Sequence, residues 1–361
     1  MTTMRIGIDV RKIADSGIGR HIENLIENLV RLNHQHEFVL FFSPGDIGIY
    51  KYNRDGVRKV VETSGKYSLK EHWSLPINAR KCGVDLFHSP HYTLPRFYKG
   101  KSVVTIHDII HLLEPSFGYW EKTYARWMIA SAISRAGAVI TVSRYTKEAL
   151  IERFGAPERK IHVIHNGGGA DFHRPEEASI IRELEADDIH GEYHLYVGSD
   201  RPHKNLKAVA ALLEAMNANT RFLIVGRVAE EIQTDYKKRF GERVIFRNNV
   251  AHNMMATYYA GARALLFPSY HEGFGLPPLE AMACKTPVIA SNSSSIPEVV
   301  GDAALLVDPD DIVAMAAALE KTETDHDFRR RLIESGHKRA QLFSWEKMAK
   351  ETLKVYEEVG L

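Results

Sequence analysis

The alternation of short apolar runs with amphipathic stretches, sustained almost from end to end, constrains this 361-residue chain more than any single residue. A buried apolar run followed by helical periodicity, repeated many times, calls for parallel strands covered by helices. Strands are expected at 5–10, 38–42, 85–88, 102–106, 138–142 and 161–164. Gly17 to Gly19 read as a turn, followed by a helix with Ile22, Leu25, Ile26 and Leu29 on one face. Further helices are expected at about 119–134 and 147–154. A second series has strands at 194–197, 221–225, 244–246, 264–267, 287–290 and 304–307, with helices from Lys204 and at 230–239. The segment 167–192, with three consecutive glycines and Pro175, reads as a linker. Length agrees with two domains. The expected class is α/β, with two similar halves and no strong internal repeat.

One stretch concentrates chemistry. From His271 to Ser291 the chain reads HEGFGLPPLEAMACKTPVIAS, with Glu272 and Glu280 eight positions apart. Between them Gly273-Phe274-Gly275 leads through Leu276 into Pro277-Pro278, a start signal for a helix. Glycines before a helix let backbone N–H groups approach an anion, and the helix N-terminus favours negative charge. Glu280 is then expected in the first turn of that helix. A carboxylate beside a phosphate is repelled unless it holds hydroxyls instead. A ligand with both a diphosphate and hydroxyls is a nucleotide-sugar. Glycine-rich loops alone are common to any parallel α/β domain; the pair of acids is what sharpens the reading.

Composition excludes several classes. Hydrophobic residues at 44% and charged residues at 26% are ordinary for a globular protein. A net charge of +1 argues against nucleic acid as a partner. Residues 1–180 carry 25 Lys+Arg against 19 Asp+Glu, and the remainder 22 against 27. That excess leaves open a basic first half attracted to an anionic acceptor or to the inner membrane surface. No apolar run approaches a membrane span, and the chain passes from Met1 straight toward a strand, so a cytoplasmic protein is expected, with peripheral membrane contact left open. Cys82 and Cys284, the two cysteines, read as reduced core residues. The 18 histidines include His88/His91 and His107/His111, but no H-E-x-x-H or cysteine partner set accompanies them, and no metal is expected.

Several motifs in order resemble the retaining GT-B glycosyltransferases with the E-x7-E signature (family 4, "group 1"), which include sucrose and trehalose synthases and many bacterial mannosyltransferases. They are Gly17-Ile-Gly-Arg20, His107-Asp108, Thr141 to Ser143, His165 to Gly167, Tyr196-Val-Gly-Ser-Asp-Arg-Pro-His-Lys-Asn-Leu206, the Glu272–Glu280 stretch, and Phe343 to Val359. The resemblance implies two Rossmann-like domains facing across a deep cleft that closes on its substrates. The first would be 1–175, rejoined by a C-terminal helix at 344–361, and would bind the acceptor; the second, 176–343, would bind the nucleotide-sugar.

The resemblance also distributes roles. Lys204 would neutralise the donor diphosphate. Glu280 would accept hydrogen bonds from ribose hydroxyls, and Glu272 would sit at the transferred sugar. Backbone N–H groups of Gly273, Phe274, Gly275 and Leu276 would meet sugar and leaving phosphate. His107 would lie against the donor sugar, through its side chain or its carbonyl, while Asp108 orders the loop. Gly17 and Gly19 would let a loop close over the phosphates, and Gly198 would leave the backbone open beside them. The arginine many members place after that glycine is here Ser199, and Arg201 is the candidate substitute. His88, His91 and Tyr92 would line the acceptor pocket from a polar loop. The aromatic, basic segment 117–127 is expected to pack as a core helix, with a membrane interface as the other reading. No cofactor or metal is implied. The implied activity is retaining transfer of a sugar, mannose from GDP-mannose favoured and UDP-sugars open, to a glycan or lipid-linked acceptor in surface polysaccharide or lipopolysaccharide synthesis. An epimerase of the same fold, or a non-catalytic sugar-nucleotide-binding protein, are the alternatives.

Overall fold

The computed structural model describes residues 3–32, 35–48, 55–170 and 172–360, and of His252 the backbone alone. Met1 and Thr2 of the expected start, Asp171 of the expected linker and Leu361 of the expected last helix lie outside the described residues. The chain divides into two compact units, Met1–Asn166 with Trp345–Leu361, and Gly167–Ser344.

Unit 1 is built on seven strands: β1 (Arg5–Asp9), β2 (Glu37–Phe42), β3 (Val57–Val61), β4 (Leu86–Ser89), β5 (Lys101–Ile106), β6 (Ala138–Thr141) and β7 (Ile161–Val163). Their order is β3-β2-β1-β4-β5-β6-β7, all neighbours parallel. Central strands are buried along nearly their whole length, as strands covered on both faces must be. β3 falls outside the expected set. It is an edge strand whose VRKVV sequence is only half buried, so no continuous apolar run marks it.

Unit 2 holds β8 (His194–Val197), β9 (Phe222–Val225), β10 (Val244–Arg247), β11 (Leu265–Phe267), β12 (Val288–Ser291) and β13 (Leu305–Val307). The order is β10-β9-β8-β11-β12-β13, again parallel throughout. In each sheet the chain runs outward one way and then returns to the other side. The reversal falls between β1 and β4 in unit 1 and between β8 and β11 in unit 2. Ligands of open parallel sheets bind at the C-terminal strand ends of such a reversal.

Three expectations about elements are corrected. Gly17 and Gly19 are not in a turn: the helix begins at Ser16 and runs to Leu32, with both glycines in its first turn. A Cβ on Gly19 would lie 2.2 Å from the Ile13 carbonyl oxygen, so that glycine lets the preceding chain cross close to the helix. The helix expected from Lys204 begins at Lys207, after a single tight turn at Pro202–Lys204. The first boundary falls at 166/167 rather than 175/176. The residues between belong to unit 2 because Ala170 N–H donates to the Phe343 carbonyl at 3.1 Å, and Arg174 donates to the carbonyls of Ala260 and Cys284 at 2.7 and 3.3 Å.

The last helix, Trp345–Gly360, belongs to unit 1. It buries Trp345, Met348, Ala349, Val355 and Tyr356, and Arg31 pairs with its Glu346 at 2.9 Å. Cys82 and Cys284 are both free and buried. Among the described residues, no helix is long and apolar enough to cross a membrane.

Candidate functional site

In unit 2 the sheet reversal places the loop after β8 beside the loop after β11. The first supplies Lys204 and the second Glu272, and Lys204 Nζ donates to Glu272 Oε1 at 2.5 Å. Sequence placed these two residues at the same ligand but did not pair them. The pair joins a cation to a carboxylate in the loops that follow β8 and β11. Their side chains are 22% and 11% exposed, so water screens the pair only in part. Lys204 also lies 5.7 Å from the centre of the Phe267 ring at the end of β11.

The Lys204 loop is tied down from beneath. Tyr196 Oη, buried in β8, lies within reach of the carbonyls of Lys204 (3.0 Å) and Ser199 (3.2 Å). Asn205 takes a left-handed conformation, φ 54°, and its side-chain amide donates to the Pro309 carbonyl at 2.7 Å. Gly198 follows β8 closely: a Cβ there would lie 2.9 Å from the Tyr196 hydroxyl. Ser199 Oγ accepts from the Arg201 N–H at 3.4 Å, while the Arg201 side chain is exposed.

The Glu272–Leu276 loop is held by two serines that sequence reasoning missed. Glu272 N–H donates to Ser294 Oγ, and Ser295 Oγ lies 3.0 Å from the carbonyls of both Glu272 and Phe274. The signal was present as the run Ser293-Ser294-Ser295 after β12, but nothing local linked it to a loop 20 residues earlier. These bonds engage two of the loop's carbonyls, and the following helix, Leu276–Ala283, opens with N–H groups that its own turns cannot satisfy. Gly273 begins the turn. Gly275 closes it at φ 107°, where a Cβ would meet Ile296 Cδ1 at 2.8 Å. Phe274 is buried and packs its ring edge against Phe343, 5.8 Å away, so only its backbone is available to a ligand.

Glu280 falls in the second turn of this helix, not the first, because the helix starts at Leu276. It is 2% exposed and accepts from Tyr259 Oη at 2.8 Å. Tyr259 stands in no motif that would have singled it out.

In unit 1 the corresponding reversal gathers a second cluster. After β1, Lys12 Nζ donates to Tyr67 Oη at 2.6 Å and lies 3.9 Å from that ring's centre. Burial brings its pKa down to about 8, against the pull of Asp15 and Asp9. After β4, His91 packs its ring on Tyr92 at 3.9 Å, with Tyr67 Oη 3.5 Å from Nε2. Both His91 and Tyr92 are nearly fully buried, and His91 Nδ1 has no hydrogen-bond partner among the described residues. Glu114 Oε2 and the Tyr124 hydroxyl are likewise buried without partners among the described residues. Lys12 and Tyr67 carry no motif that singles them out.

His88 is corrected. It is a fully buried residue of β4, not a loop residue lining a pocket, and both ring nitrogens are occupied, by Tyr356 Oη at 2.6 Å and Thr105 Oγ1 at 2.9 Å. His107, just past β5, is partly buried, and its Nε2–H donates to the Pro90 carbonyl at 3.0 Å. Burial pushes its pKa down to about 4, so near neutral pH the ring is uncharged and Nδ1 is an acceptor. Its own carbonyl accepts from Thr146 Oγ1 at 3.1 Å, and His21 meets the ring edge-on at 4.7 Å. Asp108 Oδ1 accepts the Ile110 N–H at 2.9 Å, which orders the loop. A Cβ on Gly17 would meet nothing within 4 Å, unlike one on Gly19. Among the described residues, no cluster of three His, Cys, Asp or Glu side chains is arranged to hold a metal ion.

Comparison with known proteins agrees with this architecture. Residues 182–339 match the model of the "Glycosyl transferases group 1" family, and residues 16–168 match that of "Glycosyltransferase Family 4". An O-antigen chain mannosyltransferase B of Escherichia coli is 30% identical over 75% of this chain and 74% of its own length. The O-antigen chain mannosyltransferase RfbU of Salmonella typhimurium is also 30% identical, over 64% of this chain and 63% of its own. Among solved structures, sucrose-phosphate synthase from Thermosynechococcus elongatus superposes with a TM-score of 0.83 over 98% of both chains at 22% identity. Anabaena HepE, solved with UDP and glucose, gives 0.80 over 98% of this chain and 100% of its own at 16% identity. Two parallel-sheet Rossmann-like units, each matched by a family model, and a relative 30% identical over three quarters of the chain make this chain a member of the family 4 (group 1) glycosyltransferases.

Proposed function

We propose that the protein transfers mannose, with retention at the anomeric carbon, from GDP-mannose to a glycan or lipid-linked acceptor during O-antigen-type polysaccharide synthesis at the cytoplasmic side of the membrane. The observation that carries the reading is the Lys204–Glu272 pair at the reversal of the unit 2 sheet. It sets one cation for a diphosphate directly beside one carboxylate for sugar hydroxyls. The mannosyl preference is supported by relatives that are O-antigen mannosyltransferases. In this reading Lys204 neutralises the leaving diphosphate, and the Gly273–Leu276 backbone donates to it as charge develops. Glu272 orients the transferred sugar and Glu280 the ribose. The acceptor binds in unit 1 near His91 and Tyr92, where polar atoms buried without partners among the described residues await hydroxyls, and neutral His107 accepts a hydrogen bond there. The leaving diphosphate takes the acceptor proton on the face it departs from. No resident metal or cofactor enters the scheme.

The test incubates the protein with labelled GDP-mannose, UDP-glucose and UDP-N-acetylglucosamine, with and without lipid-linked or simple sugar acceptors. Acceptor-dependent consumption of GDP-mannose is expected, and NMR of the product should give the donor's anomeric configuration. Consumption without acceptor would indicate epimerisation. Tight binding without turnover of any donor would indicate a silent binding protein.

A further inference from the structure

Ser294 takes a backbone conformation that serine ordinarily avoids. Its φ is 56°, in the left-handed region. Ser295 follows with φ −78° and ψ −9°, and the Ile296 N–H donates back to the Ser293 carbonyl at 3.3 Å. A positive φ followed by such a pair of angles belongs to a tight turn that ordinarily places glycine, asparagine or aspartate at its first central position. Serine stands where glycine would strain the chain least, so the needs of the backbone do not account for it.

The hydroxyl does account for it. Ser294 Oγ accepts the Glu272 N–H at 3.0 Å, and the next hydroxyl, Ser295 Oγ, shares its proton between the carbonyls of Glu272 and Phe274, each at 3.0 Å. Both backbone polar groups of Glu272 are thus held by consecutive residues of one turn. A third hydroxyl of the same stretch, Ser291 Oγ at the end of β12, donates to the Ser269 carbonyl at 2.6 Å, where the loop begins. From the other side the Tyr270 N–H donates to the His203 carbonyl at 2.8 Å, which ties the Glu272 loop to that of Lys204. Neither Ser294 nor Ser295 engages the N–H of Gly273 or Gly275. The Glu272 carboxylate, 11% exposed, reaches Lys204 Nζ at 2.5 Å. A shift of the Glu272 backbone therefore moves the carboxylate off that lysine, and a misplacement of about 1 Å near a reacting centre lowers the rate by as much as about a hundredfold.

We propose that Ser294 is a positioning residue for sugar transfer: its hydroxyl, kept at a turn position suited to glycine, sets the place of the Glu272 carboxylate. The proposal rests on the reading of Glu272 as the group that orients the transferred sugar, and it holds whichever nucleotide-sugar is the donor.

The test compares Ser294→Gly, Ser294→Ala, Ser294→Asn and Glu272→Gln with the wild type, all in the full chain. Each is assayed well below its melting temperature with labelled GDP-mannose, UDP-glucose and UDP-N-acetylglucosamine and with simple sugar or lipid-linked acceptors. Glycine suits the backbone but lacks the hydroxyl. Alanine lacks the hydroxyl and keeps the strain. Asparagine tolerates the left-handed region and carries a side-chain oxygen that can accept the Glu272 N–H. Ser294→Gly is expected to melt above Ser294→Ala, yet kcat should fall about tenfold in both. Affinity for GDP or UDP, read by titration calorimetry, should stay at the wild-type value. Ser294→Asn should recover most of kcat. A serine that served stability alone would let turnover follow the melting order, and that outcome overturns the proposal. Wild-type kcat in Ser294→Gly, with Glu272→Gln impaired, overturns it too while leaving the reading of Glu272 in place. Wild-type turnover in Glu272→Gln removes that reading and the proposal with it.

Discussion

At the scale of residues, the candidate site rests on side chains whose partners lie far away in sequence. Lys204 and Glu272 were legible because each stands in a motif, but their pairing was not, since it depends on two strands becoming neighbours across the sheet reversal. We predict that Lys204→Ala weakens nucleoside-diphosphate binding by about ten- to a hundredfold, in line with a charge-assisted contact of about 1.5–3 kcal/mol, and lowers turnover as well. Titration calorimetry and steady-state kinetics would check this, and unchanged values would refute the diphosphate role. Glu280 has Tyr259 as a buried partner, and removing that hydroxyl leaves a carboxylate oxygen short of a bond. Tyr259→Phe should cost about 1–3 kcal/mol in stability, read from denaturant unfolding of unit 2. The histidines of unit 1 give a pH signature. Burial holds His21 at about 3 and His107 at about 4, and His88 and His91 well below the ordinary value. The folded state keeps these rings neutral while the unfolded chain protonates them below about 6.5. Stability is therefore complete above that value and is lost as pH falls toward the folded values, by about 1.4 kcal/mol per pH unit for each such histidine. Melting of unit 1 from neutral pH down to about pH 5 should follow that slope. A flat profile would refute neutral burial.

At the scale of elements, glycines that look alike in sequence have different work. Gly17 and Gly19 share one short motif, and sequence assigns both to a loop; the structure puts both in a helix. Gly17 faces open space, whereas a Cβ on Gly19 would press on the Ile13 carbonyl. Gly17→Ala should leave stability unchanged or raise it by about 0.5–1 kcal/mol, as expected for an exposed helical glycine. Gly19→Ala should destabilise by several times that amount, because backbone must move. Gly275→Ala meets both a left-handed φ and Ile296, and should distort the loop that carries Glu272. Thermal melts of the three variants should rank them in that order, with Gly17→Ala the most stable; equal melting for Gly17→Ala and Gly19→Ala would refute the packing account. Boundaries were harder to read than elements. The edge strand β3 and the helix Glu71–Lys81 escaped because one mixes lysine and arginine into its run and the other carries apolar residues on both faces around Pro76.

At the scale of the whole molecule, the C-terminal helix completes unit 1 from the far end of the chain. Trp345 and Tyr356 are buried there, and Tyr356 Oη holds the His88 ring from 2.6 Å. Ending the chain at Ser344 should expose that surface and strip His88 of a partner. Unit 1 is then expected to melt early or aggregate, while residues 167–344 expressed alone should fold with native circular dichroism. Two normal unfolding transitions in the truncated chain would refute this. The sequence by itself determined the class of fold, the number of domains and the two motifs that bear Lys204 and the Glu272–Glu280 pair. Those follow from local periodicity and from glycine and proline chemistry, which neighbouring residues set between them. Only the tertiary structure decided which residues meet. It joined Lys204 to Glu272, placed Ser294 and Ser295 under the loop, removed His88 from the surface, and brought Lys12 to Tyr67 and His91. Each of these depends on strand order and on packing across long chain separations, which no local pattern encodes.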